Sequence, residues 1–262
     1  MTDTVPRTAA LARRRVATPE AAVVAVLAAG AWLGTVSLSR GMASMTGTMG
    51  LSASEFVPVW TLMMAAMMLP AVGVTGSVYA RTILTNRPAR IVGFVGGYLV
   101  VWAAAGVPAL GLASLAGRLA SDEPGVAHAV GVGVFALCGL YQLTPIKDRC
   151  LARCRSPLGL LMRYGSYRGK LRDVRVGLHH GGYCLACCWA LMVVLIAVGV
   201  MNLLAMVAIA ALVVVEKLWT RGPLAGRLAG LALLTLAVTA IWVPSLAPGL
   251  HPAPMAHMTM MR

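Results

Sequence analysis

The sequence predicts an all-α membrane protein: a polytopic transmembrane helical bundle of about seven spans, N-terminus inside and C-terminus outside. Three observations predict it. Of 262 residues, 59% are apolar and only 11% charged, whereas a soluble domain carries about a quarter charged. The mean hydropathy is +0.82, and the apolar residues fall in long uncharged runs, the pattern of spanning helices. The Lys and Arg residues sit between those runs, on alternate sides. A β-barrel would instead alternate over segments of about ten residues with aromatic girdles, and this chain has only three Phe. The net charge of +14 does not imply nucleic acid, because the charges lie in inter-run segments and not along one amphipathic face.

The apolar runs place spans at about 21–39, 56–80, 91–116, 126–146, 183–199, 202–219 and 228–246. They form a single transmembrane domain, 21–247, after a basic cytoplasmic tail, 1–20. A Cys/Arg-rich cytoplasmic loop covers 147–182, and a Met/His-rich outer tail covers 248–262. The first run follows Arg13-Arg14-Arg15 as a signal peptide would. It is long for an h-region, however, and only Ser37 and Ser39 offer a small-x-small site, so a retained span is expected. The stretch 183–219 exceeds one crossing of a ~30 Å core at ~1.5 Å per residue. Gly199-Val200-Met201-Asn202 is its natural break. With the N-terminus inside, inner segments hold 19 Lys/Arg and outer segments 3, which sets the orientation by the positive-inside rule. Gly93 and Gly97 make a small-xxx-small packing face in the third span. Pro70, Pro108 and Pro244 lie in or near span ends, where kinks are tolerated.

Methionine occurs sixteen times and clusters. The first outer loop holds Met42, Met45 and Met49, with no expected core to bury them. The outer tail holds His251, Met255, His257, Met258, Met260 and Met261. Thioethers are soft, non-ionising ligands suited to Cu(I), and imidazole adds affinity for Cu(II) or zinc. Span two carries Met63, Met64, Met67 and Met68. Met63/Met67 and Met64/Met68 stack at i, i+4, so one pair is expected to face the bundle interior. Methionine is also a common core filler, and that reading stands beside the metal one.

Of six cysteines, Cys138 lies within span four and reads as a buried small hydrophobe. The other five are expected at the cytoplasmic face. Cys150 and Cys154 share a helix face, as do Cys184, Cys187 and Cys188 at the start of span five. Cytosolic thiols stay reduced, and flanking Arg and Lys favour the metal-binding thiolate. Four or five thiolates suit Cu(I) or zinc. His179, His180 and Glu216 are further candidate ligands, although Glu216 and Lys217, ending span six, also read as side chains that reach the interface. Cys184-Leu185-Ala186-Cys187 has the spacing of a redox pair as well.

Three blocks carry a resemblance. They are Trp60-Thr61-Leu62-Met63-Met64-Ala65-Ala66-Met67-Met68-Leu69-Pro70; Gly139-Leu140-Tyr141-Gln142-Leu143-Thr144-Pro145 with Lys147, Cys150 and Cys154; and Gly182-Tyr183-Cys184-Leu185-Ala186-Cys187-Cys188-Trp189-Ala190-Leu191-Met192 with Gly199-Val200-Met201-Asn202 and Glu216-Lys217. On these the chain resembles a bacterial family of predicted metal-binding integral membrane proteins, across roughly residues 56–220. The resemblance implies metal binding in a bacterial inner membrane and names no substrate. The Met/His tail lies outside it.

The leading expectation is a copper-binding membrane protein acting in metal transport, in delivery as a copper chaperone, or in assembly or support of a membrane cuproenzyme, with a cuproenzyme or copper chaperone as its partner. Its surroundings are the lipid bilayer, with no nucleic-acid partner and no catalytic residues. One alternative is a structural subunit stapled by zinc on Cys150, Cys154, Cys184 and Cys187. Another is a membrane thiol–disulfide oxidoreductase. No nucleotide-binding loop is evident, so the chain is not expected to pump by itself.

Overall fold

The computed structural model describes residues 19–42, 45–81, 87–156, 159, 167–169, 171–243 and 246–250. Among these the chain is all-helical: α1 (Pro19–Met42), α2 (Ala53–Arg81), α3 (Arg87–Asp122), α4 (Pro124–Gln142), α5 (Pro145–Arg155), α6 (Arg172–Val198), α7 (Leu203–Leu218) and α8 (Gly222–Ala240), then a 3-10 turn at Pro248–Leu250. Six of these helices, α1, α2, α3, α4, α6 and α8, are long and apolar enough to cross a membrane. At 16 residues α7 is shorter. Large apolar side chains such as Val26, Leu33, Leu137 and Leu204 point outward, the inverse of a water-soluble surface and the condition for a lipid-facing one.

Local chemistry explains the helix ends. Pro124 and Pro145 open α4 and α5, where a missing N–H costs nothing. Thr144 caps α5 by accepting from the Lys147 backbone N–H at 3.3 Å. The expected break after span five is present: Gly199, at φ +108°, ends α6, and the Asn202 side chain caps α7 by accepting from the Ala205 N–H at 3.1 Å.

Two boundaries differ from expectation, and both matter for the site. The segment 147–182 is not simply a loop, since it contains most of α5 and the first three turns of α6. Cys184 therefore does not open its helix. It lies twelve residues past Arg172, about 18 Å along the axis. The apolar-run criterion began the span at Tyr183 because Asp173, Arg175, His179 and His180 dilute the hydropathy before it. Burial against a neighbouring helix keeps that stretch helical all the same.

That neighbour is α3, and the two helices run parallel. Arg90 contacts Asp173, Phe94 lies against Gly177, and Tyr98 reaches Cys184. Small residues make the approach possible. A Cβ on Gly97 would sit 2.2 Å from the Val174 carbonyl oxygen, and one on Gly177 would sit 2.1 Å from that of Phe94. The Gly93/Gly97 face thus packs as expected, and α6 answers it with Gly177 and Gly181. At the charged end, the Arg90 guanidinium holds both Asp173 oxygens, at 3.1 and 3.0 Å. Tyr79 of α2 donates to the same carboxylate, tying α2, α3 and α6 together. Elsewhere α2 packs against α1, α3 and α7, and α4 against α8.

Candidate metal centre

The cysteines that sequence spacing paired along the chain meet in space. Cys184, Cys187 and Cys188 are buried in α6, and Cys154 of α5 is buried beside them. The Cys187 and Cys154 sulfurs are 3.9 Å apart. Cys187 and Cys188 each turn their thiol back to donate to the Cys184 carbonyl oxygen, at 3.1 and 2.9 Å. The i, i+3, i+4 spacing does this: it stacks the three cysteines on one face of α6, and from that face Cys187 meets Cys154 of α5. Cys150, one turn before Cys154, is only half-buried.

Charge enters the cluster from α7. Glu216 and Lys217 are adjacent in sequence but point about 100° apart around the helix. Lys217 donates to the Cys184 sulfur at 2.9 Å, and the Tyr98 hydroxyl lies 3.0 Å from the same sulfur. Glu216 turns the other way and accepts from Lys147 of α5 at 2.5 Å, both side chains 1% exposed. Gly226 of α8 leaves room for that pair, since a Cβ there would stand 2.9 Å from each charged atom. Arg155 donates to the Trp219 carbonyl, fastening the end of α5 to the end of α7.

Glu216 and Lys217 are therefore not interfacial side chains reaching for water. Each is buried and partnered, the usual condition for an ionisable group inside a bundle. His180 is buried, with its ring 6.1 Å from both Phe94 and Tyr98. His179 is exposed and leans on Tyr183. The two neighbouring histidines thus face different surroundings.

Cys154 lies outside the spanning helices. The neighbouring Cys187 sulfur and burial hold its thiol above the ordinary range, so it must surrender a proton to bind a metal.

Methionine fills the interior of α2. Met63, Met64, Met67 and Met68 are all 0% exposed, so both i, i+4 pairs are buried where only one was expected. From the end of α1 to the start of α2 the three methionines diverge. Met45 is exposed, Met42 half-buried, and Met49, at φ +59°, is packed in the core. The expectation that nothing there could form a core fails for Met49. Met255, Met258, Met260, Met261, His251 and His257 lie outside the described residues, as does Pro244.

The donor set suits a soft ion. At a metal–sulfur length of ~2.3 Å, the 3.9 Å gap between Cys154 and Cys187 subtends about 115° at a bridging metal. Among the described residues, no three His, Cys, Asp or Glu side chains converge as a ready-made shell. The Cys154 and Cys187 sulfurs are poised together, while the Cys184 sulfur is held by Lys217 and Tyr98 and the Cys188 thiol by the Cys184 carbonyl.

Tyr98 and Lys147 are site residues that sequence reasoning left without a role, and Lys217 was read only as a side chain reaching the interface, although Lys147 and Lys217 stood within the resembling blocks. An ionisable residue bordering an apolar run is the signal that marks such positions.

Helices long and apolar enough to cross a membrane, packed around buried methionine and cysteine, define an all-helical bundle of the kind membrane proteins build. The family described as PpoB2, copper chaperone, matches residues 57–240. The chain belongs to that family, and its role is copper-related. No curated protein and no solved structure matches the chain.

Proposed function

We propose that this chain is a membrane copper chaperone that holds Cu(I) on thiolates of the Cys154, Cys184, Cys187 and Cys188 cluster and yields it to a membrane cuproenzyme or another copper carrier. The observation that carries the reading is the 3.9 Å approach of Cys187 to Cys154, from two helices far apart in sequence. Thiolates prefer Cu(I) to hard cations, and the copper-chaperone family supplies the ion. The likeness of the methionine and cysteine blocks to predicted metal-binding membrane proteins supports the same assignment.

In this reading α7 is a seventh span of about 24 Å, short of the ~30 Å core. Its charged end stays buried because Lys147 and Cys184 partner it. The 19-to-3 split of Lys and Arg puts the N-terminus in the cytoplasm of a bacterial inner membrane and the Met/His tail outside. The tail collects the ion, the α2 thioethers pass or hold it within the bundle, and the cysteines retain it.

Elemental analysis of the purified full-length protein, loaded with Cu(I) in detergent, tests the proposal. Cys184→Ser with Cys187→Ser loses the bound copper, and Cys138→Ser keeps it. Unchanged copper in the double variant overturns the reading.

A further inference from the structure

We propose that Lys217 sets the valence selectivity of the sulfur cluster, favouring a monovalent soft ion over a divalent one by standing as a fixed positive charge beside the binding position. The inference rests on the copper reading above and goes beyond it, because it names a residue that contributes no ligand atom and states what that residue does.

The geometry is as follows. Lys217 Nζ is 2.9 Å from the Cys184 sulfur. An ion bound to that sulfur at ~2.3 Å lies within about 5 Å of the ammonium. The lysine is 8% exposed, so water does little to screen it. The adjacent carboxylate does not cancel it, because Glu216 is already engaged by Lys147. Tyr98, the other polar group on Cys184, is a hydroxyl. Among the described residues, Lys217 is thus the ammonium whose direct partner is a cluster sulfur.

Coulomb repulsion from that charge scales with the charge of the incoming ion, so a divalent ion pays twice what a monovalent ion pays. The stabilisation Lys217 gives the thiolates is the same for any metal that binds the same sulfurs, and it cancels from the ratio of affinities. The selectivity therefore holds for any set of thiolates that includes Cys184 beside Lys217. Zinc, abundant and thiophilic, is the competitor such a device excludes.

Equilibrium dialysis of the full-length protein in detergent, with Ag(I) as a redox-inert monovalent probe and Cd(II) as the divalent one, gives the ratio of affinities. Replacing Lys217→Met or Lys217→Gln lowers the Ag(I)/Cd(II) preference on the order of tenfold to a hundredfold. Lys217→Arg retains it. A neutral variant that binds Ag(I) with an unchanged ratio overturns the proposal and leaves the copper reading intact. If neither neutral variant folds, the wild type decides: its ratio exceeds that of dithiothreitol measured alongside, and equality overturns the proposal. A wild type that binds neither ion, with dithiothreitol responding normally, overturns both this proposal and the copper reading.

Discussion

Lys147 and Glu216 pair at 2.5 Å, each side chain 1% exposed, beneath a glycine of α8 that has no Cβ to push them apart. The pair joins α5, which carries Cys154, to α7, which carries Lys217. With the Arg155 contact to the Trp219 carbonyl, it links the two helices that bring a thiol and an ammonium to α6.

Breaking the pair by one partner is expected to be severe. Glu216→Gln leaves Lys147 charged and unpaired in a buried site, a situation that costs about 3–5 kcal/mol. Lys147→Met with Glu216→Leu removes both charges and restores most of that loss. Thermal unfolding of the three variants in detergent measures it, and a double variant as unstable as the single one contradicts the account.

The α3–α6 contact makes a sharper geometric prediction. Gly177→Val drives a side chain into the Phe94 carbonyl, which a Cβ alone would already approach to 2.1 Å. It should separate the helices, displace Tyr98 from Cys184 and abolish metal retention. Gly96→Ala, where a Cβ meets nothing within 4 Å, leaves retention unchanged. Size-exclusion profiles with elemental analysis compare the two.

The methionines of α2 separate packing from chemistry. Met64→Leu with Met68→Leu conserves volume, and such swaps usually cost less than about 1.5 kcal/mol each. The fold should survive. Copper uptake by cells at low external copper should fall if the thioethers handle the ion, and unchanged uptake returns these residues to the role of core filler.

Acid should weaken metal binding through Cys154. Its thiol is held above the ordinary range by the Cys187 sulfur and by burial, so at neutral pH it is protonated, and binding through it releases a proton. Apparent affinity rises with pH until the raised value is passed. Cys154→Ala flattens that slope. Chelator competition at a series of pH values reads it, and parallel slopes in both proteins exclude Cys154 as a ligand.

Truncation before Met255 isolates the Met/His-rich tail. The shortened protein should take up less copper when copper is scarce, yet bind the same stoichiometry once purified and loaded. Identical uptake removes the tail from the pathway.

What could be read along the chain was whatever depends on near neighbours in sequence. Hydropathy over ~20 residues marks helices that leave water. Gly199 and Asn202 mark the break between α6 and α7, and i, i+4 spacing marks shared faces. Gly93 and Gly97 marked one side of a helix contact, because small residues at that spacing serve close packing whatever lies opposite. What lay opposite, Gly177 and Gly181, was not legible.

The sequence by itself determined that this chain is helical, that its helices prefer an apolar solvent, and that its sulfur is grouped. Only the tertiary structure decided which groups meet. It put Cys187 against Cys154, turned Glu216 to Lys147 and Lys217 to Cys184, and sank Met49 into the core. The reason is the range of the forces involved. Helix formation and transfer from water are summed over neighbours along the chain. A thiol beside an ammonium, or a buried ion pair, exists only where helices distant in sequence approach within a few ångströms, and close packing of the whole bundle sets that approach.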